Sequence, residues 1–126
     1  MTILRLSPTT MYVGTTDVAR SRAFYRDVLG FTLIKDDASG LLFSLYGAML
    51  RVSKVETLTP QAFTALGWTV DDLVTEVLPL AQRGVVFERY PDLAQDERGV
   101  ARFPNADLVV WFKDPDGNLL SVTQLG

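Results

Sequence analysis

Apolar positions along this 126-residue chain switch between alternation and a helical stripe, and they do so twice in the same order. Residues 8–14, PTTMYVG, mix β-branched and aromatic residues and predict a strand. Thr15, Thr16 and Asp17 then offer N-cap oxygens. Val18, Ser21, Phe24 or Tyr25, and Val28 fall on one helical stripe, which Gly30 stops. FTLIKD (31–36), LLFSLY (41–46) and MLRVSKV (49–55) predict three further strands, with the DDASG turn and Gly47 as reversals. The second pass opens with FTALGWTV (63–70). Asp71 or Asp72 caps a helix with Leu73, Val77, Leu80 and Ala81 on one face, and Pro79 predicts a kink or an early break. VVFERY (85–90), DLVVWFKD (107–114) and NLLSVTQL (118–125) complete it as strands, the last two joined by the Asp114-Pro115-Asp116-Gly117 turn.

Asp17 to Gly30 and Asp71 to Gly84 have the same separation. A period of half the chain predicts two copies of one supersecondary unit, since a solenoid needs three or more repeats. The expected fold class is therefore α+β: two tandem β-α-β-β-β modules (8–55 and 63–124) in a single 1–126 domain. Their sheets curve around a cleft. The polar segment ETLTPQ (56–61) is the natural linker. The 14 residues PDLAQDERGVARFP (91–104) are long for a hairpin connection and read as a surface excursion or a lid.

The chain has no cysteine and no histidine. Disulfides, thiolate sites, imidazole bases and imidazole ligands are thereby excluded. A net charge of −3 with no Lys/Arg run argues against nucleic acid and anionic membrane surfaces. No apolar run is long enough to span a bilayer, and MTILRLSPTT lacks a signal-peptide core, so a cytoplasmic protein is expected. Asp114 and Asp116 belong to a turn motif rather than to a carboxylate pair. Arg51, flanked by Leu50 and Val52, is either solvated on an exposed sheet face or an inward cation suited to a carboxylate or phosphate. Trp111 reads as core or as a stacking surface, and Trp68 as core. Arg98 and Arg102 are outside candidates for closing over an anion.

DVARSRAFYRDVLGF (17–31), VDDL (70–73), RGVVF (83–87) and FKDPDGNLLSV (112–122) resemble the glyoxalase/bleomycin-resistance/extradiol-dioxygenase group, the vicinal oxygen chelate superfamily. The resemblance implies that four strand positions would hold a divalent ion, usually through His and Glu. They map to Thr10, Arg51, Ala65 (or Thr64, one residue earlier) and Ser121. None is a suitable ligand, and Arg51 would place a cation where the metal sits. The resemblance also nominates cleft walls: Phe43 and Leu45 in module one, Val109 and Trp111 in module two. Tyr12 and Gly67 lie two residues beyond Thr10 and Ala65.

The expected function is metal-independent binding of a small organic molecule, aromatic or anionic, resembling antibiotic-sequestering resistance proteins. No cofactor and no catalytic residue are expected, and the chain leans away from being an enzyme. Arg51 and Trp111 are expected to face one cleft. The alternative is a glyoxalase- or dioxygenase-like lyase or isomerase with a non-standard or absent metal site. The resemblance further implies a homodimer.

Overall fold

The computed structural model describes residues 8–126, and its internal contacts divide them into two units, up to Leu58 and from Thr59 onward. In the first unit β1 (Thr9–Thr15) leads into α1 (Val18–Arg22), which continues as a π-helical segment over Ala23–Val28. β2 (Thr32–Asp37), β3 (Gly40–Leu45) and β4 (Ala48–Lys54) follow. The sheet order is β1-β4-β3-β2, with β1 and β4 parallel and the other pairs antiparallel. The second unit contains β5 (Leu66–Thr69), α2 (Leu73–Gln82), β6 (Ala101–Arg102), β7 (Leu108–Lys113) and β8 (Leu119–Gln124). Its sheet runs β5-β8-β7-β6, again with one parallel pair, β5 and β8. The architecture is α+β with two mixed four-stranded sheets.

The first helix begins where Asp17, in extended backbone, accepts a hydrogen bond from the Arg20 N–H at 3.1 Å. The buried hydroxyls of Thr15 and Ser21, 2.6 Å apart, tie the end of β1 to the underside of α1. Tyr25 is fully buried beneath the helix and packs its ring on Phe31 and Phe43. In the second unit the cap is Asp72, whose side chain accepts from the Thr75 N–H.

Asp17 is therefore equivalent to Asp72 and not to Asp71. The interval from cap to glycine is one residue shorter in the second unit. The π-helical segment of the first, closed by a Leu29 N–H to Phe24 C=O bond, takes up the extra residue. Gly30 and Gly84 both adopt the left-handed backbone that ends a helix, with φ of 78° and 92°.

Three further expectations are corrected. Pro79 does not break α2, which runs on to Gln82 and closes through Arg83 N–H bonds to Pro79 and Leu80 carbonyls. Its buried anchors, Leu73 and Val77, lie ahead of the proline and hold the helix in place. Ala81 is exposed, one position round from the buried face.

Residues 85–90 do not form a strand. Glu88 N–H bonds to the Trp111 carbonyl at 2.7 Å, but the Glu88 carbonyl and the Tyr90 N–H are taken by the Gln95 side chain. The edge of this sheet comes instead from Ala101–Arg102, inside the segment read as a loop. That segment is held by Gln95, which also donates to the Gly99 carbonyl, and by Arg89, which donates to the Gln95 and Asp96 carbonyls. Such bonding describes a fixed excursion rather than a free lid. No helix among the described residues is long and apolar enough to cross a membrane.

Candidate functional site

Each helix covers one face of its sheet, and the opposite face is the place for a site. In parallel pairs, residues in register share a face. β1 and β4 therefore put Thr10 and Met49, Tyr12 and Arg51, and Gly14 and Ser53 on one side. Antiparallel pairing with β3 adds Leu42, opposite Arg51, and Ser44, opposite Met49. Lys35 and Asp37 join from β2, opposite Leu42 and Gly40. Tyr12 is 69% exposed on this face.

Phe43 and Leu45 are not on it. Phe43 stands opposite Leu50, is fully buried, and packs against Tyr25 and Phe31 under the helix. Leu45 shares that phase. The two residues expected as a cleft wall in module one belong to the helix-covered side, and Leu42 and Ser44 take their place beside Arg51.

In the second unit the expected residues share a face. Gly67 is in register with Ser121, Ser121 with Trp111, and Thr123 with Val109. Ala65 continues β5 on the same phase, with its N–H bonded to the Leu119 carbonyl. A Cβ added at Gly67 would stand 2.6 Å from Ser121 Oγ, so a side chain there would force that hydroxyl to turn away. Thr64 lies on the other phase. Trp68, in register with Val122, lies on the other phase and is half-buried.

Trp111 meets Tyr90 and Phe103 edge-to-face, with ring centroids 5.5 and 6.4 Å apart. Burial and the nearby Glu88 push the Tyr90 hydroxyl above its ordinary range. An open depression of about 540 Å³ adjoins this group, lined by Phe103, Pro104, Asn105, Asp107, Val109 and Thr123. The resemblance nominates Trp111, but Tyr90 and Phe103 were not legible because both lie in irregular backbone.

Arg51 is the distinctive polar group of the first unit. Its side chain is 21% exposed, and Nη1 is buried without a hydrogen-bond acceptor. Its ion partner is Asp37, with Nη1 3.6 Å from Oδ1, beyond hydrogen-bond range. The Ser39 N–H bond, with Arg51 and Lys35 as further contributors, holds the Asp37 carboxyl below the usual carboxylate range against the opposing effect of burial. Two cations and one carboxylate thus share this end of the face. Its local charge is positive on a chain that is acidic overall.

The donor set does not fit a divalent metal. Thr10, Arg51, Ala65 and Ser121 offer neither imidazole nor carboxylate. No group of three or more His, Cys, Asp or Glu side chains stands together among the described residues.

The sequence profile of the Glyoxalase/Bleomycin resistance protein/Dioxygenase superfamily matches residues 5–122. No curated protein sequence matches significantly. Among solved structures, a glyoxalase family protein from Bacillus anthracis superposes with a TM-score of 0.76 at 14% identity over 100% of both chains. A glyoxalase/bleomycin resistance protein/dioxygenase from Alicyclobacillus acidocaldarius gives 0.73 at 18%, covering 97% of this chain and 95% of that one. A lactoylglutathione lyase from Agrobacterium tumefaciens gives 0.71 at 17%, covering 94% and 92%. At these identities the structural likeness concerns the fold, and the profile match over nearly the whole chain carries the family. The chain belongs to the Glyoxalase/Bleomycin resistance protein/Dioxygenase superfamily.

Proposed function

We propose that this protein binds a small organic molecule bearing a carboxylate or phosphate group, without a metal, through the open face of the first sheet. The observation that carries the reading is the Arg51 Nη1 atom, buried and without an acceptor. A buried donor left unpaired costs about 1–3 kcal/mol, and a ligand anion removes that cost while gaining a charge-assisted bond. Thr10 and Ser44 supply hydroxyls on the same face, and Tyr12, Leu42 and Met49 supply apolar area. Lys35 adds positive potential, and Asp37, 3.6 Å from Arg51 Nη1, is too far to occupy that donor.

A panel of aromatic carboxylates titrated against their neutral amides in a calorimeter tests this. Arg51→Met is expected to weaken the anions about ten- to a hundredfold, the equivalent of roughly 1.5–3 kcal/mol, and to leave the amides nearly unchanged. Equal affinities for the two proteins would reject the reading. So would stoichiometric nickel, zinc, manganese or iron retained by the purified protein through dialysis.

A further inference from the structure

The second unit holds a cavity on the side of its sheet opposite Trp111 and Ser121. It measures about 410 Å³ and is lined by Val74 of α2, by Ala94, Gln95, Asp96, Arg98 and Val100 of the loop, and by Arg102 and Leu108. After α2 the chain touches the sheet through the Glu88 N–H to Trp111 carbonyl bond and joins it at Ala101, and residues of the intervening loop line the cavity together with Val74.

Its polar groups are of two kinds. Asp96 is already occupied, since its carboxylate takes the Arg98 side chain at 2.8 and 3.2 Å and the N–H groups of Arg98 and Val100 at 2.9 and 3.0 Å. Burial raises its proton affinity, but these bonds outweigh that and hold the carboxyl below its ordinary range. Arg98 is charge-matched by the same contacts. Arg102 is not: it has no ion pair or hydrogen bond from its side chain among the described residues. It stands in register with Leu108, at the edge of the sheet. At the start of α2, Gln124 accepts the Leu73 N–H and Asp72 accepts the Thr75 N–H. The intervening Val74 N–H has no partner among the described residues, and Val74 lines the cavity. Val74, Val100 and Leu108 provide apolar walls beside Arg102.

We propose that this cavity is a second binding site, separate from the open sheet faces, for a small organic carboxylate with an apolar body. The carboxylate pairs with Arg102, and the apolar part lies on Val74, Val100 and Leu108. The inference does not rest on the Arg51 reading.

Hexanoate and its neutral counterpart hexanamide are suitable probes, followed by amide chemical shifts of the nitrogen-labelled full chain. Hexanoate is expected to move the amides of Val74, Val100, Arg102 and Leu108, with hexanamide binding about tenfold more weakly. Arg102→Met should weaken hexanoate about tenfold, the equivalent of roughly 1.4 kcal/mol, and leave the fold intact because the side chain is exposed. Arg51→Met should leave these four shifts unchanged. Three results would each overturn the proposal: no shift at these amides, shifts confined to the faces carrying Arg51 or Trp111, or an affinity indifferent to Arg102→Met. Loss of the Arg51 effect in the calorimetric panel, with these shifts preserved, would reject the other reading alone.

Discussion

Phe43→Ala is expected to lower stability by about 3–5 kcal/mol, the range for emptying a fully buried aromatic site. Phe43 has no exposed surface and lies in a cluster with Tyr25 and Phe31, ring centroids 5.9 and 6.4 Å away. Tyr25 is itself fully buried and meets Phe24 edge-to-face at 5.1 Å, so the ring lost at position 43 removes a face from two neighbours at once. Domains of this size are stable by roughly 5–15 kcal/mol, so the variant should unfold at much lower urea and temperature. Leu42→Ala is the internal comparison. Leu42 is only half-buried, on the other face beside Arg51, and its truncation should cost clearly less. If Phe43→Ala stays within about 1 kcal/mol of the parent, the ring is not a core element and its assignment to the helix side is wrong.

That pair of residues also shows why alternation misled at β3. The run Leu41-Leu42-Phe43-Ser44-Leu45 is apolar on both phases, so periodicity cannot say which phase is inward. The phase was nevertheless legible elsewhere. Tyr46 and Gly47 form a two-residue reversal, with Gly47 in the left-handed region, and such a turn fixes Leu45 opposite Ala48. Counting outward puts Phe43 against Leu50 and Leu42 against Arg51. A one-residue slip transfers a whole strand to the other face, and that slip separated Phe43 and Leu45 from the site.

The helix ends were readable because caps are local chemistry. Asp17, Gly30, Gly84 and the Asp114–Gly117 turn all act where the residue types predicted. Equal spacing was a weaker guide. It aligned Asp17 with Asp71, and nothing in the sequence shows that the first helix carries a π-helical turn. The fate of residues 85–90 was hidden for a different reason. Val85, Val86 and Phe87 have strand character, but the deciding partner is a glutamine side chain from a loop, and a contact of that kind has no periodicity. Asp37 was missed as the partner of Arg51 for the same reason: it arrives from the far edge of the sheet, across β3.

Asp114→Ala is expected to be comparably destabilising, although no catalytic or ligand role is assigned to it. Its carboxylate is buried between β7 and β8. Oδ1 accepts from the N–H groups of Asp116 and Asn118 at 3.0 and 2.9 Å, and Oδ2 accepts from Asn118 Nδ2 at 2.8 Å. The backbone closes the same turn through Asp114 N–H to the Asn118 carbonyl and Gly117 N–H to the Asp114 carbonyl. Alanine removes the acceptor for all three side-chain bonds, and Asn118 is buried too. Hydrogen bonds to a charged group contribute about 1.5–3 kcal/mol each and are not additive within one network, so a total loss of roughly 3–5 kcal/mol is expected by chemical denaturation. Asp114→Asn is the finer test. Its amide oxygen can keep the two backbone bonds, but an NH₂ then faces the Asn118 NH₂, donor against donor. Adding Asn118→Asp reverses the pair and should restore much of the stability lost. A loss within about 1 kcal/mol for Asp114→Ala, or no recovery in the double variant, would show that the turn is held by its backbone alone. The consequence reaches the open face, because this turn sets the β7–β8 register that puts Trp111 opposite Ser121. Any variant that loosens it should also disturb the amide shifts of those two residues before the protein unfolds.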